Sequence, residues 1–359
     1  MTQKTLIENI EPEFATRLVE WFKANARALP WRESIIPYRV WVSEIMLQQT
    51  RVNQVIGYYE RFMERFPDIF ALAGADGDEV IKYWEGLGYY SRAQNLHRAA
   101  KLIAAEYGGK FPGDYGSIRR LPGIGDYTAG TICAICFNLP VPSVDGNILR
   151  VVTRLTGSEA DIADGATKTA VYKVLIPLYE AAKSCGALTE SMMELGATVC
   201  VPNGKPLCAV CPVKDLCKAH RLNLTGKLPV KSAKPDKIPE DLTVFVVGSG
   251  GKYAVTKRPA QGLLAGLWEF PNLKGRLSEA EALAAAQGLG FFELVPRGTR
   301  DAAHIFTHRV WNMRVYYFAC SEPSDNFTWS EIEKIALPTA FKKLVLMKST
   351  PDTAGTRRL

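Results

Sequence analysis

The hydrophobic pattern of the chain changes once along its length. From residue 13 to about 220, apolar positions recur at spacings of three and four, as in EFATRLVEWFKAN, DEVIKYWEGL, RAQNLHRAAKLIAAEYG and KTAVYKVLIPLYEAAK. That period predicts amphipathic helices. Pro and Gly interrupt it at short intervals, so many short helices are expected. After the basic, Pro-containing stretch GKLPVKSAKPDKIPE the period becomes two. LTVFVV, a Gly-rich turn at 248–251 and YAVTK predict a hairpin. Ser278 and Glu281 form a capping box ahead of an Ala-rich helix, and RVYYFAC predicts a further strand. The expectation is an all-α N-terminal region over 1–226, a basic linker over 227–240 and an α+β domain over 241–359. The last nine residues carry no motif and read as a loose tail.

The stretch WVSEIMLQQT at 41–50 breaks the helical pattern in one place. Glu44 sits among Trp41, Val42, Ile45, Met46 and Leu47. An ionised carboxylate away from water is costly, so such a group finds a partner, stays exposed or changes its pKa. Taken alone, a helical glutamate faces solvent.

At 359 residues, with 47% hydrophobic and 23% charged residues, the chain has the length for two cores and an ordinary globular composition. MTQKTLIENIEPEF lacks the apolar core of a signal peptide, and no run reaches the length of a membrane span, so an intracellular, cytoplasmic protein is expected. The net charge of +7 suits a polyanionic partner. Much of it lies in 214–237, where Lys214, Lys218, Arg221, Lys227, Lys231, Lys234 and Lys237 face only Asp215 and Asp236. Charge alone makes this a solvated linker. Eight cysteines without an export signal favour metal ligands or buried thiols over disulfides.

Three motifs carry candidate chemistry. LPGIGDYTAG at 121–130 lies between helical segments, and Gly123 and Gly125 allow a sharp turn before a helix N-terminus that offers free N–H groups to an anion. This is the composition of a helix-hairpin-helix, and equally of a plain turn. In VPSVDGNILR, Asp145 and Asn147 precede a helical run, and one of them is expected to cap it. In CVPNGKPLCAVCPVKDLC, Cys200, Cys208, Cys211 and Cys217 fall within eighteen residues on a Pro- and Gly-containing loop. Four thiolates so placed can wrap one metal centre, and the single C-x₂-C pair makes zinc the less natural occupant. Cys133 and Cys136, also C-x₂-C, lie in the apolar helix TAGTICAICF and read as core.

PWRESIIPYRVWVSEIMLQQTRV, GLGYYSRAQNLHRAAK, LPGIGDYTAG, VPSVDGNILRV, MMELGATVC and the cysteine loop stand in the order found in adenine DNA glycosylases of the MutY type, within the helix-hairpin-helix glycosylase superfamily. The chain resembles that family nearly continuously over 20–220, and more weakly beyond, through LLAGLWEFP and HIFTH. The resemblance implies two helical lobes flanking a groove, a [4Fe–4S] cluster on the four cysteines, and a C-terminal domain similar to Nudix hydrolases. The implied activity is removal of adenine mispaired with 8-oxoguanine or guanine in double-stranded DNA by a monomer, with any protein partners undefined.

That chemistry asks for one neutral and one ionised carboxyl group. By the resemblance Glu44 is the general acid, its apolar setting raising its pKa, and Asp145 is the ionised group facing the cationic sugar. Tyr127 occupies the position where endonuclease III-type enzymes carry a nucleophilic lysine, so no Schiff base can form and a monofunctional glycosylase is expected. The resemblance places its hydroxyl beside the aspartate, with Asn147. It also puts Trp31, Arg32 and Glu190 around the extruded adenine, and Gln49, Thr50, Leu87 and Tyr89 in the duplex near 8-oxoguanine. The family's Phe-Ser-His tip appears here as Phe306, Thr307 and His308, which keeps the hydroxyl. The first cysteine spacing is seven residues, against the six common in the family. After Glu269 the metal-binding helix of a Nudix hydrolase is replaced by SEAEALAAAQGLG, so this domain should bind without hydrolysing. The rivals are an endonuclease III-type glycosylase and lyase, and a non-catalytic DNA-binding module with a structural metal site.

Overall fold

The structure is a computed structural model that describes residues 7–233 and 235–346; the tail at 351–359 lies outside them. The chain divides into two compact units, Met1–Gly74 with Asn95–Ala233, and Ala75–Gln94 with Lys234–Leu359. The assignment of Ala75–Gln94 to the second unit has no counterpart in the hydrophobic pattern, which places one boundary between 226 and 241.

Helices follow one another through the first two-thirds of the chain: α1 (Pro12–Asn25), α2 (Pro37–Leu47), α3 (Val52–Arg65), α4 (Ile69–Ala73), α5 (Gly77–Tyr83) and α6 (Ser91–Glu106). They continue with α7 (Tyr115–Arg120), α8 (Asp126–Phe137), α9 (Gly146–Thr156), α10 (Gly165–Ala181), α11 (Cys185–Thr198) and α12 (Lys218–Arg221). Their starts are encoded locally. Pro12 and Pro37 occupy first-turn positions, where no N–H is needed, and Asp68, Asp76, Asp114, Asp145, Asp164 and Ser184 cap others through their side chains. α9 is the buried spine of the first unit: every residue from Ile148 to Thr156 is inside, packed among Phe14, Leu18, Leu175, Leu188 and Met192.

The second unit adds a mixed sheet: β1 (Ile238–Ser249), β2 (Lys252–Lys257), β3 (Trp268–Glu269), β4 (Asn272–Lys274), β5 (Leu294–Ile305), β6 (Arg309–Cys320) and β7 (Thr328–Ser330). The main order is β3-β2-β1-β6-β5, with β4 on β1 and β7 on β2; β1 and β6 run parallel and the other pairs antiparallel. Period two sends Val244, Val246, Met313 and Val315 to one face, under α14 (Thr339–Leu346). Phe245, Val247, Tyr316 and Phe318 go to the other, under α13 (Glu279–Gly288) through Ala282 and Ala286. Both faces are covered, as a parallel pair requires. The predicted hairpin forms with Gly248 opposite Tyr253, and the Ser278–Glu281 capping box is present.

Candidate active site

Glu44 lies on α2, which is buried on all sides from Val40 to Met46; the glutamate itself is only 7% exposed. It does not face bulk solvent. It opens into a cavity of about 200 Å³ that Tyr127, Asp145 and Asn147 also line. The Tyr127 hydroxyl, in the first turn of α8, hydrogen-bonds Glu44 in a way that favours its ionised form, feels the charge of Asp145 and lies 4.0 Å from Met193 Sδ.

Asp145 is the N-cap of α9, as the sequence allows, and uses both oxygens. Oδ1 accepts from the Ile148 N–H at 2.8 Å, and Oδ2 accepts from the Asn147 amide at 2.9 Å. Asn147 is held in turn by Arg150, whose guanidinium donates to Asn147 Oδ1, Gly196 O and Cys200 O, each at 2.7 Å. Gly196 lets α11 approach: a Cβ there would stand 2.7 Å from the Asn147 Cβ.

Burial pushes the Glu44 carboxyl up to about 7; the Tyr127 hydrogen bond and Arg32 oppose the rise, while Asp145 and Glu190 add to it. Burial raises Asp145 too, but against more donors: the Ile148 N–H, the Asn147 amide and N–H, and the Arg150 charge. The pair is therefore asymmetric in what stabilises its charge.

The wall of the cavity is an ion-pair lattice. Arg32 donates from Nε to Glu190 at 2.9 Å and from Nη2 to Glu194 at 3.0 Å, and its guanidinium lies over Phe22. Arg27 clasps Glu194 with two bonds of 2.5 and 3.0 Å. Glu194 is fully buried, yet these two arginines outweigh its burial and hold its carboxyl below the usual range. Burial raises Glu190, with Arg32 opposing. Trp31 lines the same space, its ring edge-on to Tyr59 at 5.5 Å.

Cys200, Cys208, Cys211 and Cys217 line one small cavity with Arg154, Lys214 and His220. The Arg154 guanidinium donates to Cys200 Sγ at 3.2 Å. Among the described residues no group of three or more Cys, His, Asp or Glu has the spacing to hold a metal ion. Four thiols lining one cavity are a set of soft donors of the kind a thiolate-bound metal centre uses.

Residues 42–176 match the family model for the HhH-GPD superfamily base excision DNA repair proteins, and 243–347 match the NUDIX domain. The chain is 33% identical to the adenine DNA glycosylase of Mus musculus, over 96% of this chain and 79% of that one. The chain belongs to the adenine DNA glycosylase family. Against the family's Arabidopsis thaliana member it is 38% identical over 74% of this chain, spanning 48% of that protein's length. Among solved structures, a thermostable thymine-DNA glycosylase superposes with a TM-score of 0.52 at 25% identity, covering 58% of this chain and 96% of that one.

The remaining candidates of this adenine DNA glycosylase family member are placed as follows. Gly123, at φ +78°, turns the chain between α7 and α8, where a Cβ would strike Asn95. Gly125 is the N-cap of α8 and makes no side-chain capping hydrogen bond. Gln49 adopts φ +57°, and Thr50 reaches the rim of the cavity. In the second unit Leu87 is 5% exposed whereas Tyr89 is 45% exposed. Phe306, Thr307 and His308 turn between β5 and β6; Phe306 packs edge-on against His304 and Trp311, and Thr307 Oγ1 lies 2.9 Å from the Tyr89 hydroxyl. Glu269 is paired with Arg258 and with Asn272, whose amide donates to it at 2.8 Å. Sequence reasoning missed Arg27, Glu194, Arg150 and Gly196. MMELGATVC, which holds Glu194 and Gly196, and VPSVDGNILR, which ends on Arg150, pointed near three of them.

No helix among the described residues is long and apolar enough to cross a membrane.

Proposed function

We propose that this chain hydrolyses the N-glycosidic bond of adenine mispaired with 8-oxoguanine or guanine in double-stranded DNA, and leaves an abasic site. One observation carries the reading: Glu44 and Asp145 meet in a single cavity with unequal donor sets. Glu44, raised toward neutrality by burial, delivers its proton to the imidazole-ring nitrogen of the extruded base. Adenine leaves with the bonding pair, and the sugar becomes oxocarbenium-like. Asp145 carries the negative charge beside it, since two N–H groups, the α9 N-terminus and Arg150 stabilise that charge. Water then adds to the sugar carbon, and its proton returns to a carboxylate.

Trp31, Arg32 and Glu190 form the base pocket in this reading, with Arg27 and Glu194 bracing them. Tyr127 has no amine to form a Schiff base, which makes the enzyme monofunctional and argues against an endonuclease III-type lyase. A non-catalytic DNA-binding module would need neither buried carboxylate. Cys200, Cys208, Cys211 and Cys217 are the ligands assigned to a [4Fe–4S] cluster, whose contribution is structural: it holds a basic loop. Gly123 and Gly125 grip a phosphate through the backbone. Gln49, Thr50, Leu87, Tyr89, Phe306, Thr307 and His308 read the partner base. The domain limits 1–226, 227–240 and 241–359, a monomeric state and an intracellular place belong to the same reading.

Duplexes carrying adenine opposite 8-oxoguanine, guanine or thymine, incubated with and without alkali, test it. Strand breaks that appear only after alkali, and for the first two duplexes, are expected; breaks without alkali, or none at all, contradict it.

A further inference from the structure

Residues Ala75–Gln94 are fastened to the rest of the second unit at several points: Lys257 pairs with Asp78 at 2.8 Å, Gln94 Nε2 donates to Ala265 O at 2.9 Å, and the anchor nearest in sequence to Tyr89 is Glu85. Its Oε1 accepts the backbone N–H of Leu337, a fully buried residue, at 3.2 Å. Its Oε2 meets Lys82 Nζ at 2.8 Å and Lys342 Nζ at 3.1 Å. Lys82 also donates to Ile335 O at 2.9 Å, so the same spot is tied twice. The Glu85 side chain is 11% exposed, which limits solvent screening of these pairs. Only three residues separate it from Tyr89. Gly86 and Gly88 take φ values of +102° and +72°, and Tyr89 itself takes +47°, so the path between them is a tight turn through the left-handed region. Arg92 clamps that turn by donating to Leu87 O and Gly88 O at 3.2 and 3.1 Å. At its end the Tyr89 hydroxyl meets Thr307 at the β5–β6 tip, 218 residues away in sequence.

We infer that Glu85 is a positioning residue: by anchoring the turn to Leu337 it sets where the Tyr89–Thr307 pair stands, and so sets discrimination between an oxidised purine and guanine opposite the target adenine. The inference rests on the reading above that this pair meets the partner base. Glu85 touches no DNA in this account; it acts through Tyr89.

The test compares single-turnover rates on adenine opposite 8-oxoguanine and opposite guanine for the full chain and for Glu85→Gln and Glu85→Ala. The glutamine keeps an acceptor for the Leu337 N–H and loses the attraction of the lysines. The ratio of the two rates should fall about threefold for Glu85→Gln and about tenfold for Glu85→Ala, modest beside the ~100-fold that a misplacement of ~1 Å can cost. If Glu85→Ala does not fold, Glu85→Gln carries the comparison. A purely structural carboxylate would lower both rates together and leave their ratio intact; that result, or an unchanged ratio at unchanged rates, overturns the inference. A parent chain that releases adenine from both duplexes equally fast would instead sink the reading of Tyr89 and Thr307, and this inference with it.

Discussion

The Tyr127 hydroxyl donates to Glu44, so the residue at the start of α8 acts directly on the group assigned as acid, while the charge of Asp145 acts on Tyr127. The bond stabilises the ionised glutamate and holds its pKa down against burial. Tyr127→Phe removes it. The alkaline limb of the single-turnover pH profile should then move to higher pH, and borohydride should still trap no covalent complex with DNA. A limb that moves down, or stays in place, would separate Tyr127 from the acid.

Asp145 caps α9, and in the proposed mechanism it also carries charge. Asparagine can serve as an N-cap, whereas alanine cannot, at a typical cost of ~1 kcal/mol. Asp145→Asn should keep the melting temperature within about 3 °C of the parent yet lose base release, while Asp145→Ala should lose both. Equal activity in parent and Asp145→Asn would show that the charge is dispensable.

Gly196 makes room for Asn147, and a Cβ at 2.7 Å cannot be relieved by a flexible side-chain end. Gly196→Ala should push Asn147 away from Asp145, slowing base release by roughly tenfold or more and costing ~1–3 kcal/mol of stability from overpacking. Thermal melting and single-turnover rates measure the two effects. A variant with parent values in both would mean that α9 and α11 separate freely.

The four cysteines predict iron and broad visible absorbance in the purified chain. Cys211→Ser should lose both and lower the melting temperature, because the ligand set closes the loop after α11. Zinc without visible absorbance, found by elemental analysis, would replace the cluster with a simpler site.

Much of this was legible in the sequence, and the exceptions have two causes. Helix starts were written in Pro, Asp and Ser, and period two marked β1, β2 and β6. The strand β5 was not foreseen because LVPRGTRDAAHI is largely exposed and carries no apolar alternation. Glu44 was visible as a misfit among apolar neighbours, though its family resemblance was needed to reverse the ordinary reading of a helical glutamate. Arg27 and Glu194 lie 167 residues apart, and Tyr89 and Thr307 lie 218 apart; no local pattern pairs residues across such distances. The membership of Ala75–Gln94 in the second unit is likewise a long-range fact, fixed by single contacts such as Glu85 with Lys342.

The burial of Glu44 also makes a linkage prediction. Its folded pKa, about 7, lies above the ordinary 4.5, so its proton binds more tightly in the native state. The stability this confers is complete below the ordinary value and is lost as pH rises through about 7. Glu44→Gln lacks that dependence. Relative to the variant, the parent should therefore lose on the order of 3 kcal/mol between acid and mildly alkaline pH. Parallel denaturation curves at both ends would place Glu44 in contact with water.

The most direct measurement is single-turnover base release by Glu44→Gln on a duplex with adenine opposite 8-oxoguanine, alongside binding of the same duplex. Glutamine keeps the shape and removes the transferable proton. Release should slow by about 10²–10⁴-fold with binding retained. Release at close to the parent rate would contradict the account.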